Sequence, residues 1–449
     1  MKRTHRANLA LVAGTAVTAM VIAACGSSGT STPSSSPSAG ASSSSAALTA
    51  SAPGITATTI TIGSHQPLTG VAAPGYDEIA PSSNAYFQYV NAHGGIYGRK
   101  IVYKYLNDQY NPAITSTVVH QLVLQDNVYA IFNGLGTPTH LAVAPFLNAQ
   151  KVPDVFVASG CECWNAPAKW PDTYGWQLDY IREGKILGQY IAQHFKGKKI
   201  GYFSQDDEFG QDGVKGLDDE IPKSQVVARQ TYNPTNVNVG PQVAALKAAG
   251  AQVVISFSVP AFTALLQLTS LKLKFAPQLA VSDVGSDPTT LGGLLASFGK
   301  SKKLSALTSG IITDGYLPSL GSTNNSWIAL FKKIHAQYLP KLPFDGNVAY
   351  GLAAGYTFVQ AMFKAGRNPT RQDLLNAING GLPQGPSVAP YAYSPTDHNG
   401  ITGAYIAIIK NGVLVQKGPV LVTDTSSSGA ITPYTTAQPP APASGIPAP

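Results

Sequence analysis

Between residues 58 and 423 short β-rich runs alternate with helical patterns, and that alternation leaves few architectures open to the chain. It specifies an α/β protein in which parallel sheets are covered by helices on both faces. Strands are predicted over 58–63, 101–106, 128–132 and 155–158. Asn111-Pro112 places a capping side chain before a proline at a first helical position, with Ile114, Val118 and Leu122 following on one face. His93-Gly94-Gly95 ends an earlier helix. The pattern restarts with a helix over 179–195 and strands over 199–204, 226–231, 253–257 and 278–281. A further strand follows around 311–313, then helices over 325–338 and 348–363. Asn399-Gly400 and Asn411-Gly412 read as the turns of hairpin-like segments with strands over 405–409 and 413–415. That span suits two packed domains better than one.

The ends have a different character. Lys2, Arg3 and Arg6 precede an apolar stretch over 9–24 that is short for a bilayer span and suited to a signal segment. Ala23 and Ala24 leave room for a peptidase, and the thiol of Cys25 is a nucleophile that can be acylated. The leader therefore resembles a bacterial lipoprotein signal, with 1–24 removed and Cys25 lipidated as the first mature residue. Residues 25–57 are rich in Ser, Gly and Pro and predict a flexible tether. Residues 424–449, rich in Pro, Ser and Thr, predict a disordered tail. The formal charge is +7, and loss of Lys2, Arg3 and Arg6 with the leader leaves +4, scattered without a basic stripe. Nucleic acid is a poor partner for such a surface. With the leader removed there is no second membrane-length apolar stretch, so Cys25 is the expected route to the membrane.

Four segments in order narrow the reading further: Thr61-Ile62-Gly63-Ser64-His65-Gln66-Pro67-Leu68-Thr69-Gly70, Val90-Asn91-Ala92-His93-Gly94-Gly95-Ile96-Tyr97-Gly98-Arg99-Lys100, Asn107-Asp108-Gln109-Tyr110-Asn111-Pro112, and 240–255 with Gln242-Val243-Ala244-Ala245-Leu246-Lys247-Ala248-Ala249-Gly250 at its centre. In this order and spacing they resemble the branched-chain amino acid (Leu/Ile/Val) binding family, periplasmic-type solute-binding lipoproteins that serve ABC importers. The resemblance implies a type I periplasmic binding protein fold of two lobes joined by three hinge crossovers. By pattern the crossovers fall near Trp176, Ile312 and Gly385. That assigns 58–176 plus 313–384 to the N-terminal lobe and 177–312 plus 385–423 to the C-terminal lobe. It implies capture of a small polar solute, such as an aliphatic amino acid, with delivery to an ABC permease and ATPase complex. The protein would be a monomer, extracytoplasmic and lipid-anchored to the outer face of the cell membrane, with no cofactor, metal or catalytic residue. A sensor or adhesin on the same fold is the alternative, as is a receptor for an amide or aromatic acid. An enzyme is disfavoured: Asp206-Asp207-Glu208 reads as a charge cluster at a helix N-terminus, without a matched nucleophile or oriented histidine.

Candidate ligand-binding residues lie after the predicted strands. Leu68 and Thr69 fall in the turn after the first strand, Gly136, Thr137 and Thr139 after the third, and Ser159, Gly160 and Cys161 after the fourth. The threonine hydroxyls and nearby backbone N–H groups suit an anionic or carbonyl oxygen, and the resemblance implies that the latter two loops hold a ligand carboxylate. Ordinary strand-to-helix turns are the alternative. Phe209-Gly210 occupies the place of a family Tyr-Gly pair, Ser258 falls near a family tyrosine, and Asp283 falls near the acidic residue that holds the ligand ammonium. Alternatively, Ser282-Asp283 caps a surface turn. Cys161 and Cys163 could form a tight local disulfide in an oxidising compartment or remain free thiols; with Glu162 alone they are too few for a metal. Trp164 and Trp170 either shade the cleft mouth or pack internally, and His65 and His140 read as neutral hydrogen-bonding residues near the loops.

Overall fold

The computed structural model describes residues 47–449; the leader, Cys25 and the tether up to residue 46 lie outside the described residues. Five strands form a first sheet: β1 (Thr59–Gln66), β2 (Lys100–Asn107), β3 (Ile131–Phe132), β4 (Asp154–Val157) and β5 (Thr173–Gly175), in the order β2-β1-β3-β4-β5. All its pairings are parallel. The second sheet holds β6 (Ile200–Gln205), β7 (Val226–Tyr232), β8 (Val253–Phe257), β9 (Gln278–Val281), β10 (Ile312–Gly315), β11 (Gly403–Lys410), β12 (Val413–Val422) and β13 (Thr432–Tyr434). Its order is β13-β12-β11-β10-β9-β8-β6-β7, parallel from β7 to β10 and antiparallel beyond. The fold is thus α/β with largely parallel sheets, as the alternating pattern specified, and two-lobed, as the resemblance implied.

Inner strands read as unbroken apolar runs because helices cover both faces; β8 (Val-Val-Ile-Ser-Phe) is buried throughout. Helix Pro112–Leu124 starts where Asn111 accepts hydrogen bonds from the Ala113 and Ile114 amides, and Asp179 caps helix Tyr180–His194 in the same way. That second helix lies unusually close to helix Glu208–Glu220. A Cβ at Gly216 would fall 2.1 Å from the Ile181 carbonyl oxygen, so only glycine permits the contact.

The crossovers differ from expectation at two points. β10 pairs with β9 and β11, so it belongs to the second sheet, and the chain leaves that sheet after Gly315 rather than near Ile312. Helix Gly346–Ala365 then packs on helix Ile79–Ala92, where Ser83 Oγ donates to the Gly351 carbonyl at 2.8 Å. The return is also later than Gly385. Tyr393 still donates to the Gly175 carbonyl at 2.7 Å, and the Ile401 amide reaches the Trp176 carbonyl just before β11. At that crossing Asn399-Gly400 is not a hairpin turn. A Cβ at Gly400 would fall 1.9 Å from the Trp176 carbonyl oxygen, so this glycine serves a close approach between chain segments. Asn411 and Gly412, with φ of 51° and 75°, do form the two-residue turn between β11 and β12.

Both polar ends are tied down where they are described. Arg99, 1% exposed, donates to the carbonyls of Thr49 and Thr56, and Ile55 is buried, so the tether is fixed from about residue 49 onward. The tail is likewise ordered: β13 pairs with β12, Trp327 Nε1 donates to the Pro439 carbonyl at 2.7 Å, and the Tyr86 and Tyr89 hydroxyls donate to the Gly445 and Ser444 carbonyls. Composition pointed to disorder because proline and serine cannot build a core. A proline-rich strand nevertheless offers free carbonyls, and these tyrosine and tryptophan donors require acceptors.

Candidate functional site

A cavity of about 340 Å³ lies between the C-terminal ends of the two sets of strands. From the first lobe it is faced by Tyr76, Tyr110, Gly136 and Thr137; from the second by Phe209, Val259 and Asp283; around the crossings by Tyr180, Tyr316, Tyr350 and Tyr405. The lobes touch across its rim. The Tyr76 hydroxyl donates to the Val284 carbonyl at 2.7 Å, Gln205 Nε2 reaches the Tyr110 oxygen at 3.2 Å, and the Glu162 amide donates to Asp212 Oδ2 at 2.9 Å. Burial pushes the Asp212 carboxyl up to about 6 against the opposing pull of that amide.

Most polar groups on the wall are committed to protein partners. Tyr405 donates to the Leu317 carbonyl, and Tyr350 to Gln177 Oε1. Among those that are not, the Asp283 carboxyl and the Tyr316 hydroxyl have no hydrogen-bond partner among the described residues. The Asp283 amide instead donates to Glu183 Oε1 at 2.8 Å and Asp314 Oδ1 at 3.2 Å, which gathers three carboxyl groups. Glu183 and Asp314 are buried, and Asp314 Oδ2 has no hydrogen-bond partner among the described residues. Burial, then the negative charge of Glu183, holds Asp283 and Asp314 well above the usual carboxylate range. No Lys or Arg is paired with the three among the described residues. The cluster can therefore accept a cation or a hydrogen-bond donor.

Gly136, Thr137, Phe209 and Asp283 face this cavity; the other candidates do not. Leu68 and Thr69 sit at the surface turn, where Thr69 pairs with Asn107 through its amide and hydroxyl. Thr139 turns its hydroxyl back on the Leu135 carbonyl, because a buried helical threonine satisfies itself within the turn. Ser159 supports the wall from behind, its Oγ 2.7 Å from that of Thr137. A Cβ at Gly160 would meet the Leu178 carbonyl at 2.2 Å, so this residue serves packing against the crossover. Cys161 is bonded to Cys163 and buried behind the loop. Ser258 is spent on Ser256 and Thr263. Trp164 is fully buried, donating to the Ser159 carbonyl, and shades no opening.

Beneath the first-lobe loops runs a fully buried chain of four groups. Asp108 Oδ2 lies 2.7 Å from His65 Nδ1, His65 Nε2 lies 2.8 Å from His140 Nδ1, and His140 Nε2 lies 2.7 Å from Asp154 Oδ2. Thr115 and Thr173 donate to its two ends. A Cβ at Gly134 would strike both imidazoles, so the pair directly floors the loop that carries Gly136 and Thr137. Sequence reasoning placed His65 and His140 as hydrogen-bonding residues near the loops but did not join them to Asp108 and Asp154, and it named none of the cavity's tyrosines as site residues. The one available signal for Tyr110 was its place after Asn107-Asp108, at the end of a strand.

Residues 59–413 match the family model for periplasmic binding proteins. The chain belongs to that family. Among curated proteins, Leu/Ile/Val-binding protein homolog 3 of Brucella melitensis is 26% identical over 205 residues, covering 43% of this chain and 53% of the relative. The match thus spans about half of that curated relative. Among solved structures, a possible leucine/isoleucine/valine-binding protein from Rhodopirellula baltica superposes with a TM-score of 0.70 at 21% identity, covering 80% of this chain and 96% of that one. A branched chain amino acid ABC transporter structure from Thermus thermophilus with bound valine gives 0.68 at 20% identity, covering 82% and 97%. At such identities these structures establish a shared fold. Membership of the periplasmic binding protein family makes this a binding protein rather than an enzyme and implies an extracytoplasmic location. No described helix is long and apolar enough to cross a membrane.

Proposed function

We propose that this periplasmic binding protein captures a small solute bearing a cationic or hydrogen-bond-donating group and delivers it to an ABC permease, with lipidated Cys25 holding it at the outer face of the membrane. The observation that carries the reading is the unpartnered Asp283 carboxylate inside a cavity closed by contacts from both lobes. Asp283 receives the cation and Tyr316 a second polar group. The Thr137 amide, first in its helix and without an intrahelical acceptor, takes an anionic oxygen. A zwitterionic amino acid meets all three demands, with its side chain toward Phe209.

Calorimetry against a metabolite panel tests the reading. One-to-one binding is expected, together with a higher thermal midpoint in the presence of solute. Asp283→Asn should cost roughly 2–5 kcal/mol of binding, because it strips a charge pair from a desolvated site. Binding that is indifferent to Asp283→Asn would remove the cation from the reading. For the anchor, intact mass of membrane-derived protein should show a lipid adduct that Cys25→Ser abolishes.

A further inference from the structure

The cavity does not end at the Asp283 pocket. Beyond Tyr316 it continues along a wall formed by Leu317, Leu320, Phe344, Val413 and Leu414. The pairing register of the second sheet shows how far. Tyr405 stands opposite Gly315 on β10, whereas Leu414 is paired with Ile409, four residues farther along the same strand. At a rise of about 3.3 Å per residue that adds roughly 13 Å to the length of the site. An α-amino acid with a short branched side chain is far shorter than this.

The character of the extension is as informative as its length. Its two hydroxyls nearest the apolar wall are already spent: Ser319 Oγ donates to the Leu414 carbonyl at 2.7 Å and Tyr405 to the Leu317 carbonyl at 2.9 Å. A peptide laid there would bring amides with no partners, at the cost of leaving them desolvated. Hydrocarbon has no such requirement. At the far end Val413 is 42% exposed, so the groove opens to solvent, and the Lys332 ammonium stands there above the Phe344 ring.

We propose that the solute of this site is amphipathic, with a polar head at Asp283 and Tyr316 and an elongated hydrocarbon tail lying over Leu317, Leu320 and Phe344 toward Val413 and Leu414. This rests on the solute-capture reading above and names the class of solute. The tail leaves through the groove between the chain crossing and the β11–β12 hairpin, so closure of the lobes on the head does not require the tail to be engulfed.

Three homologous series, the straight-chain 2-aminoalkanoic acids, n-alkylamines and n-alkanoates, separate head from tail when titrated calorimetrically into the full-length protein. In the series with the accepted head, affinity should rise by up to roughly fourfold per methylene until the tail reaches the open end. Val413→Asp, at an exposed turn-flanking position, and Leu320→Gln should flatten the gain for long homologues and leave short ones unchanged. The thermal midpoint without solute verifies that both variants are folded. Short members that bind with no gain from length, or long members that are excluded, overturn the tail and leave solute capture intact. If no member of any series binds, both readings fall.

Discussion

Hydrogens can be counted along the buried Asp108, His65, His140 and Asp154 chain. At its centre the 2.8 Å gap between the two rings holds a single one, so one of the facing nitrogens must accept. The groups facing the pair are the Asp108 and Asp154 carboxyls, with Asp172 the next acid beyond Asp154. A further proton would set two N–H groups head to head. Burial lowers His65 below its ordinary value of 6.5, against the pull of Asp108. Stability gained from His65 staying uncharged is thus present above about pH 6.5 and lost as the pH falls below it, because the unfolded chain then binds the extra proton. Thermal midpoints should decline from pH 6.5 to 5, by up to about 1.4 kcal/mol per pH unit, and His65→Gln should remove that slope. Asp283 predicts the opposite trade. Its raised carboxyl destabilises the solute-free protein as the pH climbs above the ordinary carboxylate range, so Asp283→Asn should stabilise that form by roughly 1 kcal/mol while weakening binding. Calorimetric scans with and without solute would separate the two effects.

Elements were legible wherever local chemistry set them. The Asn111 and Asp179 caps, the apolar run of β8 and the Asn411-Gly412 turn all depend on neighbours within a few residues. What stayed hidden depends on distant partners. β10 reads like any other buried strand, and only its pairing with β9 and β11 assigns it to the second lobe. β13 contains Pro433 and survives as an edge strand, where a missing donor can face outward. The tyrosines of the cavity come from positions between 76 and 405, so no window of sequence brings them together. Thr139, Ser159 and Ser258 carried the right chemistry in the right loops but turn toward protein partners. Gly216 offers a test at this scale. Gly216→Ala should destabilise by about 1–3 kcal/mol in chemical denaturation, because its methyl must push apart two helices whose backbones touch.

For the molecule as a whole, the Tyr76 and Asp212 contacts latch one lobe to the other. Tyr76→Phe combined with Asp212→Ala should lower solute affinity about tenfold through faster release, as expected for two lost hydrogen bonds, and stopped-flow dissociation would read it. The tail bears on the same motion. Its β13 end belongs to the second sheet, while Ser444 and Gly445 are held by tyrosines of helix Ile79–Ala92 in the first lobe. The chain therefore spans the hinge once more, outside the crossings beside the cavity. The first-lobe hold begins earlier still, at Pro439, whose carbonyl accepts from Trp327; fully drawn out, the four residues from 435 to 438 reach no more than about 14 Å. The tail is a check-strap on a door: it leaves the lobes free to part up to its own length, and any wider gape must first tear it from one of its two anchorages.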